Sequence, residues 1–198
     1  LGRHMEGENT VATRQLNMIR GEVERSDMIL TELMGYARLS EGRVEKIDMK
    51  EELQGAIEEA FPPNHAFHIQ LKKDLHEGLP PLMMQRAHLR EIMVNLLVNA
   101  REAAGENGMV QVSCRPSPQY AIELRVKDSG EGIPPDQREQ IFEAYFTTKK
   151  KGTGLGLAIV KQNTELYGGE IVVESELGVG TEFILTFPTR VLLQENES

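Results

Sequence analysis

The apolar residues of this sequence form two patterns, one typical of a single long helix and one typical of a compact mixed domain. No proline occurs between about residues 9 and 39, and apolar side chains recur there at the a and d positions of a heptad. These positions hold Leu16, Ile19, Val23, Leu30, Leu33 and Ala37, and Ser26 fills the one polar step. The spacing predicts a long amphipathic helix. Its apolar seam would be covered by a helix that is missing or belongs to another chain, or else by the domain that follows.

Beyond Gly42 the pattern changes to short helices and alternating strands. Asp48 is suited to be the N-cap of the first helix, and the helix that follows Pro80 and Pro81 carries a wide apolar stripe. The predicted elements are a helix over 49–60, a strand over 66–75 with Phe67, Ile69 and Leu71 on its inward side, a helix over 86–104, a hairpin over 109–130, a helix over 155–167 and a hairpin over 168–188. Hairpins with helices on one side predict an α+β fold, a two-layer sandwich, and not an alternating βαβ fold.

Composition narrows the classes of function. Lysine and arginine number 22 against 31 acidic residues, and the resulting net charge of −9 argues against a general nucleic-acid binder. Cys114 is the single cysteine, and no apolar run approaches the roughly 20 residues that cross a bilayer. We therefore expect a cytoplasmic location, no nucleic-acid partner and no membrane segment in this chain. Residues 1–5 are interpreted as a cloning remnant.

Polar side chains line one edge of the helix predicted over residues 86–104. Glu91, Asn95 and Asn99 follow one another at four-residue steps, so they project along one line beside the apolar stripe. An amide oxygen is a hard, neutral ligand suited to Mg²⁺, which takes few protein ligands when nucleotide phosphates and water complete its shell. The edge therefore indicates a magnesium site or, alternatively, two asparagines that are solvated or bonded locally.

An aspartate follows an apolar strand in "VKDSGEGIP", which spans residues 126–134. Asp128 would lie at the C-terminal end of the strand, beside glycines that let the backbone approach a flat base. An ionised carboxylate accepts hydrogen bonds, so it can pair with the amino group of adenine and reject the carbonyl of guanine. Aspartate and glycine also dominate ordinary turns, which is the alternative interpretation.

A run of lysines and glycines, "KKKGTGLGL", precedes the helix predicted over residues 155–167. Gly152, Gly154 and Gly156 can present backbone N–H groups to an anion, and the start of a helix adds the positive end of its dipole. The lysines at 149–151 bring mobile cations to the same place. The glycine spacing differs from a dinucleotide fingerprint, and the Lys-Ser or Lys-Thr pair of a P-loop is missing, so the stretch indicates another kind of phosphate site.

Four motifs, in this order, resemble the nucleotide-binding boxes of the sensor histidine kinases. They are "NLLVNA", "DSGEGIP", "FEAYFTTK" and "GTGLGLAIV". The resemblance implies the Bergerat-type ATP-binding fold, which these kinases share with gyrase, heat-shock chaperone and mismatch-repair ATPases. It further implies a partial dimerisation helix and linker over residues 6–46, an ATP-binding catalytic domain over 47–190 and a tail over 191–198.

The resemblance also implies roles for individual residues. Asn99 holds Mg²⁺ with help from Asn95, Asp128 takes the adenine amino group, and Thr181 backs Asp128. The segment from about 133 to 153 becomes the ATP lid, with Lys149 near the γ-phosphate and Tyr145 or Phe146 as its anchor. The remaining nucleotide-binding positions are Gly130, Gly132, Ile133, Gly152, Thr153, Gly154, Leu155, Gly156 and Leu157.

The implied reaction moves the γ-phosphoryl group of ATP to a histidine and then to the receiver domain of a response regulator. That histidine belongs to a first dimerisation helix, which this chain lacks, and the helix over 9–39 would complete a homodimer core in the parent protein. His4 belongs to the interpreted cloning remnant, and the other histidines are surface or structural candidates: His65, His68, His76 and His88. Glu102 and Ala103 depart from the lysine and aromatic residue that many family members have there.

Two other functions remain open from sequence. One is a serine kinase of the anti-sigma type on the same fold, which would not need the long first helix. The other is a regulatory module that binds ATP without catalysis, and Glu102 leaves room for it.

Overall fold

The computed structural model describes residues 15, 18–20, 23, 42–63, 68–118, 121–149 and 152–188. The described residues before Gly42 are all helical. Among them Met18, Ile19 and Val23 have 66%, 61% and 54% of their surface exposed. The predicted long helix is therefore helical where it is described, and the other apolar seam positions (Leu16, Leu30, Leu33 and Ala37) lie outside the described residues.

The domain after Gly42 contains three α-helices and seven strands in its described part. In chain order they are β1 (Glu45–Ile47), α1 (Met49–Ala60), β2 (Gln70–Leu75), β3 (Leu82–Met84), α2 (Arg86–Ala104), β4 (Met109–Pro116), β5 (Ile122–Asp128), α3 (Gly156–Leu166), β6 (Glu170–Glu176) and β7 (Gly180–Phe187). Two short 3₁₀ helices, Pro135–Gln137 and Gln140–Phe142, lie between β5 and α3. The three α-helices predicted after Gly42 are all present.

Five strands form one sheet in the order β2, β4, β5, β7, β6. Both predicted hairpins are present, because β4 pairs antiparallel with β5 and β6 with β7. The β2 and β4 strands pair in parallel, which the expectation of hairpins alone did not include. A parallel pair needs a long crossover, and β3 and α2 supply it. The α+β prediction is confirmed, with a mixed sheet packed against helices.

The core lies between the inner face of the sheet and the helix layer, in which α2 is joined by buried residues of α1 such as Leu53 and of α3 such as Val160. Alternate residues of β4, β5 and β7 point inward, as period-two alternation requires. The predicted stripe of α2 covers them, and its fully buried members are Leu89, Ile92, Met93, Leu96 and Leu97. Cys114 lies in the same core, and burial raises the pKa of its thiol to about 12. This packing fixes α2 across the sheet and leaves only its polar edge for chemistry.

A second, two-stranded sheet was not predicted. The β1 and β3 strands pair antiparallel, with Ile47 opposite Leu82 and both side chains buried. A three-residue strand shows too little alternation to be recognised from sequence. The sequence predicted only a helix after Pro81, whereas the structure has β3 there and α2 begins at Arg86.

Asp48 caps α1 as predicted, and this gives a test of the fold. Its side chain accepts hydrogen bonds from the backbone N–H groups of Lys50 at 2.9 Å and Glu51 at 3.3 Å. We expect Asp48→Ala to lower the free energy of unfolding by about 1 kcal/mol, because these N–H groups lose their acceptor. Asp48→Asn keeps an acceptor and should change stability much less. Urea denaturation of both variants would show this difference, and equal losses would contradict the capping role.

Candidate functional site

The predicted site residues come together around the polar edge of α2. The turn after β5, the segment from 145 to 156 and the turn between β6 and β7 surround this edge. The first two of these segments carry the other three motifs and contact α2 directly, whereas the turn between β6 and β7 contacts the turn after β5 at Gly132.

Asp128 ends β5 as a buried carboxylate. Only 3% of its surface is exposed, and its Oδ1 accepts a hydrogen bond from the backbone N–H of Gly130 at 2.8 Å. Burial raises the pKa of this carboxyl group, while hydrogen bonds from the backbone of Gly130 and Thr181 act to lower it. The strand thus presents a carboxylate whose two backbone hydrogen bonds offset only part of the cost of its burial.

Glycines close the backbone around Asp128. A side chain at Gly130 would place its Cβ 2.5 Å from the carbonyl oxygen of Ala103 in α2 and 2.8 Å from Asp128 Oδ1. At Gly132, with φ at +77°, a Cβ would lie 2.2 Å from the carbonyl oxygen of Glu176. These contacts leave no room for a side chain, so the backbone of the turn can pack closely at both positions only because they are glycines.

A hydrogen-bond network that sequence reasoning missed joins this turn to β6 and β7. Ser175 Oγ accepts from the backbone N–H of Ile133 at 2.7 Å, donates to the carbonyl of Gly180 at 3.0 Å and lies 2.9 Å from Thr181 Oγ1. Arg138 adds a hydrogen bond from Nη2 to the Ser175 carbonyl at 2.5 Å. A single serine within a strand carries no local signal, so only the tertiary pairing identifies it.

The two asparagines of α2 behave differently. Asn95 Nδ2 donates to the carbonyl of Glu91 at 2.9 Å, and a Cβ at Gly156 would lie 2.8 Å from Asn95 Oδ1. The amide of Asn95 is therefore bonded locally and faces the start of α3. Glu91, the third polar position, accepts from Asn163 of α3 at 2.9 Å and helps hold the two helices together.

Asn99 instead faces a cation. Its Oδ1 accepts a hydrogen bond from Lys149 Nζ at 2.6 Å, and the same ammonium lies 2.5 Å from Glu102 Oε2. Among the described residues no group of three or more His, Cys, Asp or Glu could hold a metal. An amide oxygen that already binds a positive charge nevertheless fits Mg²⁺, which needs few protein ligands beside a nucleotide.

The loop between the 3₁₀ helices and α3 is anchored by Phe146. This side chain packs against the core, whereas 64% of Tyr145 is exposed. The backbone N–H of Tyr145 donates to the Gly154 carbonyl at 2.9 Å, and both residues have positive φ, +70° and +74°. Of the two predicted anchors, Phe146 is the one that packs inward.

The glycine stretch leads directly into α3. Leu155 is buried at the N-cap without a side-chain hydrogen bond to the first turn, and Leu157 packs against the core. Thr153 Oγ1 accepts from the Leu155 N–H at 3.4 Å. The Gly152 N–H donates to the Lys149 carbonyl at 3.3 Å, so this N–H already has an acceptor. Lys150 and Lys151 lie outside the described residues.

A known protein family matches the part of the chain that contains these residues. Residues 84–191 match the family described as histidine kinase-, DNA gyrase B-, and HSP90-like ATPase. The sensor histidine kinase ZraS of Escherichia coli (strain K12) is 32% identical over 86% of this chain and 36% of its own length. The chain thus spans about a third of this curated relative.

Two solved structures are similar in fold. ShkA in complex with AMPPNP has 30% identity and a TM-score of 0.71, and the alignment covers 81% of this chain and 35% of ShkA. The catalytic domain of histidine kinase ThkA, free of nucleotide, has 27% identity and a TM-score of 0.68, with 75% of this chain and 97% of that domain covered. Within the described residues, none of the helices has the length and apolar character needed to cross a membrane.

The burial of Asp128 predicts a pH-dependent cost to stability. Because its pKa in the folded protein is raised above the ordinary 3.8, the folded state binds more protons than the unfolded state between these values. The penalty is fully present above the raised pKa and disappears below 3.8. We therefore expect Asp128→Asn to be more stable than the wild type at neutral pH, with a difference that shrinks as pH falls toward 3.8.

Urea denaturation across this pH range measures the difference. The exposed Asp136 offers a matched control, because Asp136→Asn removes an equal charge without relieving burial. A stability gain from Asp128→Asn that does not depend on pH would contradict this account.

Proposed function

Because the chain belongs to the histidine kinase-, DNA gyrase B- and HSP90-like ATPase family, we propose that it binds ATP with Mg²⁺ and transfers the γ-phosphoryl group to a histidine of its parent sensor kinase. The observation that carries this proposal is the buried Asp128 carboxylate at the end of β5, enclosed by glycines. It offers a charged acceptor next to backbone that a flat base can approach.

Adenine recognition follows from the chemistry of this pocket. Asp128 accepts from the exocyclic amino group, and Thr181 lies beside it through the β5 to β7 pairing. Gly130, Gly132 and Ile133 form the neighbouring backbone, which the Ser175 network holds in place. Guanine presents a carbonyl oxygen where adenine has its amino group, and two acceptors repel each other.

The phosphates would lie toward Asn99, Lys149 and the start of α3. Asn99 would hold Mg²⁺, which neutralises phosphate charge when it is bound. The first N–H groups of α3 and the lysine side chain would supply the remaining positive potential. Asn95 packs against this helix start, and since an amide is no base at neutral pH, water is not activated there.

We place the phosphoacceptor outside the described residues. Of the described histidines, His88 is buried with Nδ1 2.8 Å from Tyr167 Oη, while His68 and His76 lie next to β2. We assign the acceptor to a first dimerisation helix of the parent kinase, paired with the helix over 9–39 in a homodimer. The exposure of Ile19 and Val23 supports such a partner.

The rest of the proposed pathway concerns the whole protein. The phosphoryl group would pass to the receiver domain of a response regulator, in the cytoplasm. We propose residues 6–46 as the partial dimerisation helix and linker, 47–190 as the catalytic domain and 191–198 as a tail.

Nucleotide binding tests the pocket. We expect the chain to bind ATP or ADP with Mg²⁺ and to discriminate against GTP. Asp128→Ala should weaken ATP binding by about 1–3 kcal/mol, because the adenine amino group loses its buried partner. Titration calorimetry measures both effects, and Asp136→Ala is the control for loss of one carboxylate. Equal wild-type affinities for ATP and GTP would rule out the adenine assignment.

Phosphotransfer tests the reaction. We expect no stable label on the isolated chain after incubation with γ-labelled ATP, but slow labelling of a histidine-bearing first helix added in trans. Asn99→Ala should abolish this labelling through loss of the metal ligand, and replacing the acceptor histidine should do the same. Acid-labile label on the isolated chain would contradict the missing acceptor. Nucleotide binding without any transfer would favour a non-catalytic module.

A further inference from the structure

Lys149 forms a contact that bridges the lid segment and α2. Its ammonium lies 2.6 Å from Asn99 Oδ1 and 2.5 Å from Glu102 Oε2. Asn99 and Glu102 are three residues apart on α2, so their side chains share one face of the helix. The lysine comes from the loop whose base is closed by the Tyr145 to Gly154 hydrogen bond.

This contact occupies the oxygen that the proposed function gives to the metal. A divalent cation bound to Asn99 Oδ1 would lie close to an ammonium on the same atom, and two positive charges at that separation repel each other. The ammonium and the metal are therefore competitors for Asn99. A neutral amide alone holds an exposed lysine weakly, whereas the Glu102 carboxylate adds a charge-assisted hydrogen bond.

We propose that Glu102 is a positioning residue that holds Lys149 on Asn99 when no nucleotide is bound. The inference rests on the proposed function, because it gives Asn99 to the metal of the nucleotide. Release from Asn99 lets the ammonium turn to the phosphates, so one lysine alternates between a carboxylate and a nucleotide. Glu102, which departs from the basic residue common in the resembled family, thereby acquires a role that depends on its negative charge.

The exposure of the pair sets the size of the effect. The side chains of Lys149 and Glu102 are 44% and 46% exposed, so water and salt screen their attraction. An exposed pair of this kind corresponds to a change of about 1.5- to 5-fold in an equilibrium constant. The contact is thus strong enough to bias the loop and weak enough for a nucleotide to break.

Glu102→Gln tests the proposal because it removes the charge and keeps the shape. In the nucleotide-free protein, amide hydrogen exchange over residues 145–154 should become faster than in the wild type. Affinity for ADP in the presence of Mg²⁺ should rise by about 1.5- to 5-fold, and the rise should be smaller for ADP in EDTA. Glu106→Gln is the matched control, since this exposed carboxylate lies just beyond α2.

A double-variant cycle with Lys149→Met separates the contact from general electrostatics. If Glu102 acts through Lys149, Glu102→Gln should have no further effect in the Lys149→Met background. An effect that persists there, an equal effect of Glu106→Gln, or a rise that is the same with and without Mg²⁺ would overturn the proposal. If the wild type binds no nucleotide, the proposed function fails, while the exchange rates of the nucleotide-free variants still decide whether Glu102 holds the loop.

Discussion

The carboxylate of Asp128 is held at the end of β5 almost out of contact with water, and the arrangement of the surrounding turns follows from this. A buried negative charge needs hydrogen-bond donors, and here backbone N–H groups of Gly130 and Thr181 supply them. For the Gly130 N–H to reach this carboxylate, the chain must turn immediately after Asp128. For the Thr181 N–H to reach it, β7 must pair with β5 so that Thr181 lies opposite Asp128. Gly180, with φ at +138°, permits that pairing because a Cβ there would lie 2.0 Å from the Asp128 carbonyl.

One helix coordinates the separate parts of the site. Asn95, Asn99 and Ala103 lie at four-residue steps on α2, and each contacts a different segment. Asn95 meets the start of α3, Asn99 meets Lys149, and the Ala103 carbonyl meets Gly130. The apolar face of the same helix is packed against the sheet without exposed surface, so its polar edge cannot rotate. The spacing between the proposed adenine site and the proposed phosphate site is thus set by the rise of a rigid helix.

Local patterns were enough to predict much of this architecture. The α2 stripe, the Asp48 cap and the two hairpins are each specified by residues near one another in sequence, and each is present. The parallel β2 to β4 pairing is not local, because β3 and α2 separate the two strands, and short alternating runs do not specify a partner. The α+β class could therefore be predicted, while the full strand order could not.

The candidate site shows the same division between local and long-range information. Motifs indicated Asp128, Asn99 and the glycines, because their residue types suit a nucleotide and their spacing is short. Ser175 could not be found in this way, since its role depends on Ile133 and Gly180 lying beside it in the folded chain. The sequence also left two candidates, Tyr145 and Phe146, for the aromatic residue that anchors the loop. In the structure, Phe146 is the one that packs against the core.

Several features of the site weaken the free domain. Asp128 is buried with an opposed charge, and Tyr145 has φ at +70°, a conformation that side chains other than glycine adopt at a cost. By contrast, Lys149 forms a favourable contact with Asn99 and Glu102 that a nucleotide would have to break. In the proposed function, a nucleotide that binds only the folded state would offset the cost of burying Asp128 by mass action, because its adenine amino group would donate a hydrogen bond to that carboxylate. The measured binding free energy is then the favourable free energy of the nucleotide contacts reduced by the free energy needed to rearrange the site. A variant can therefore bind nucleotide more tightly if it removes a contact of the free domain, or more weakly if it removes a contact to the nucleotide.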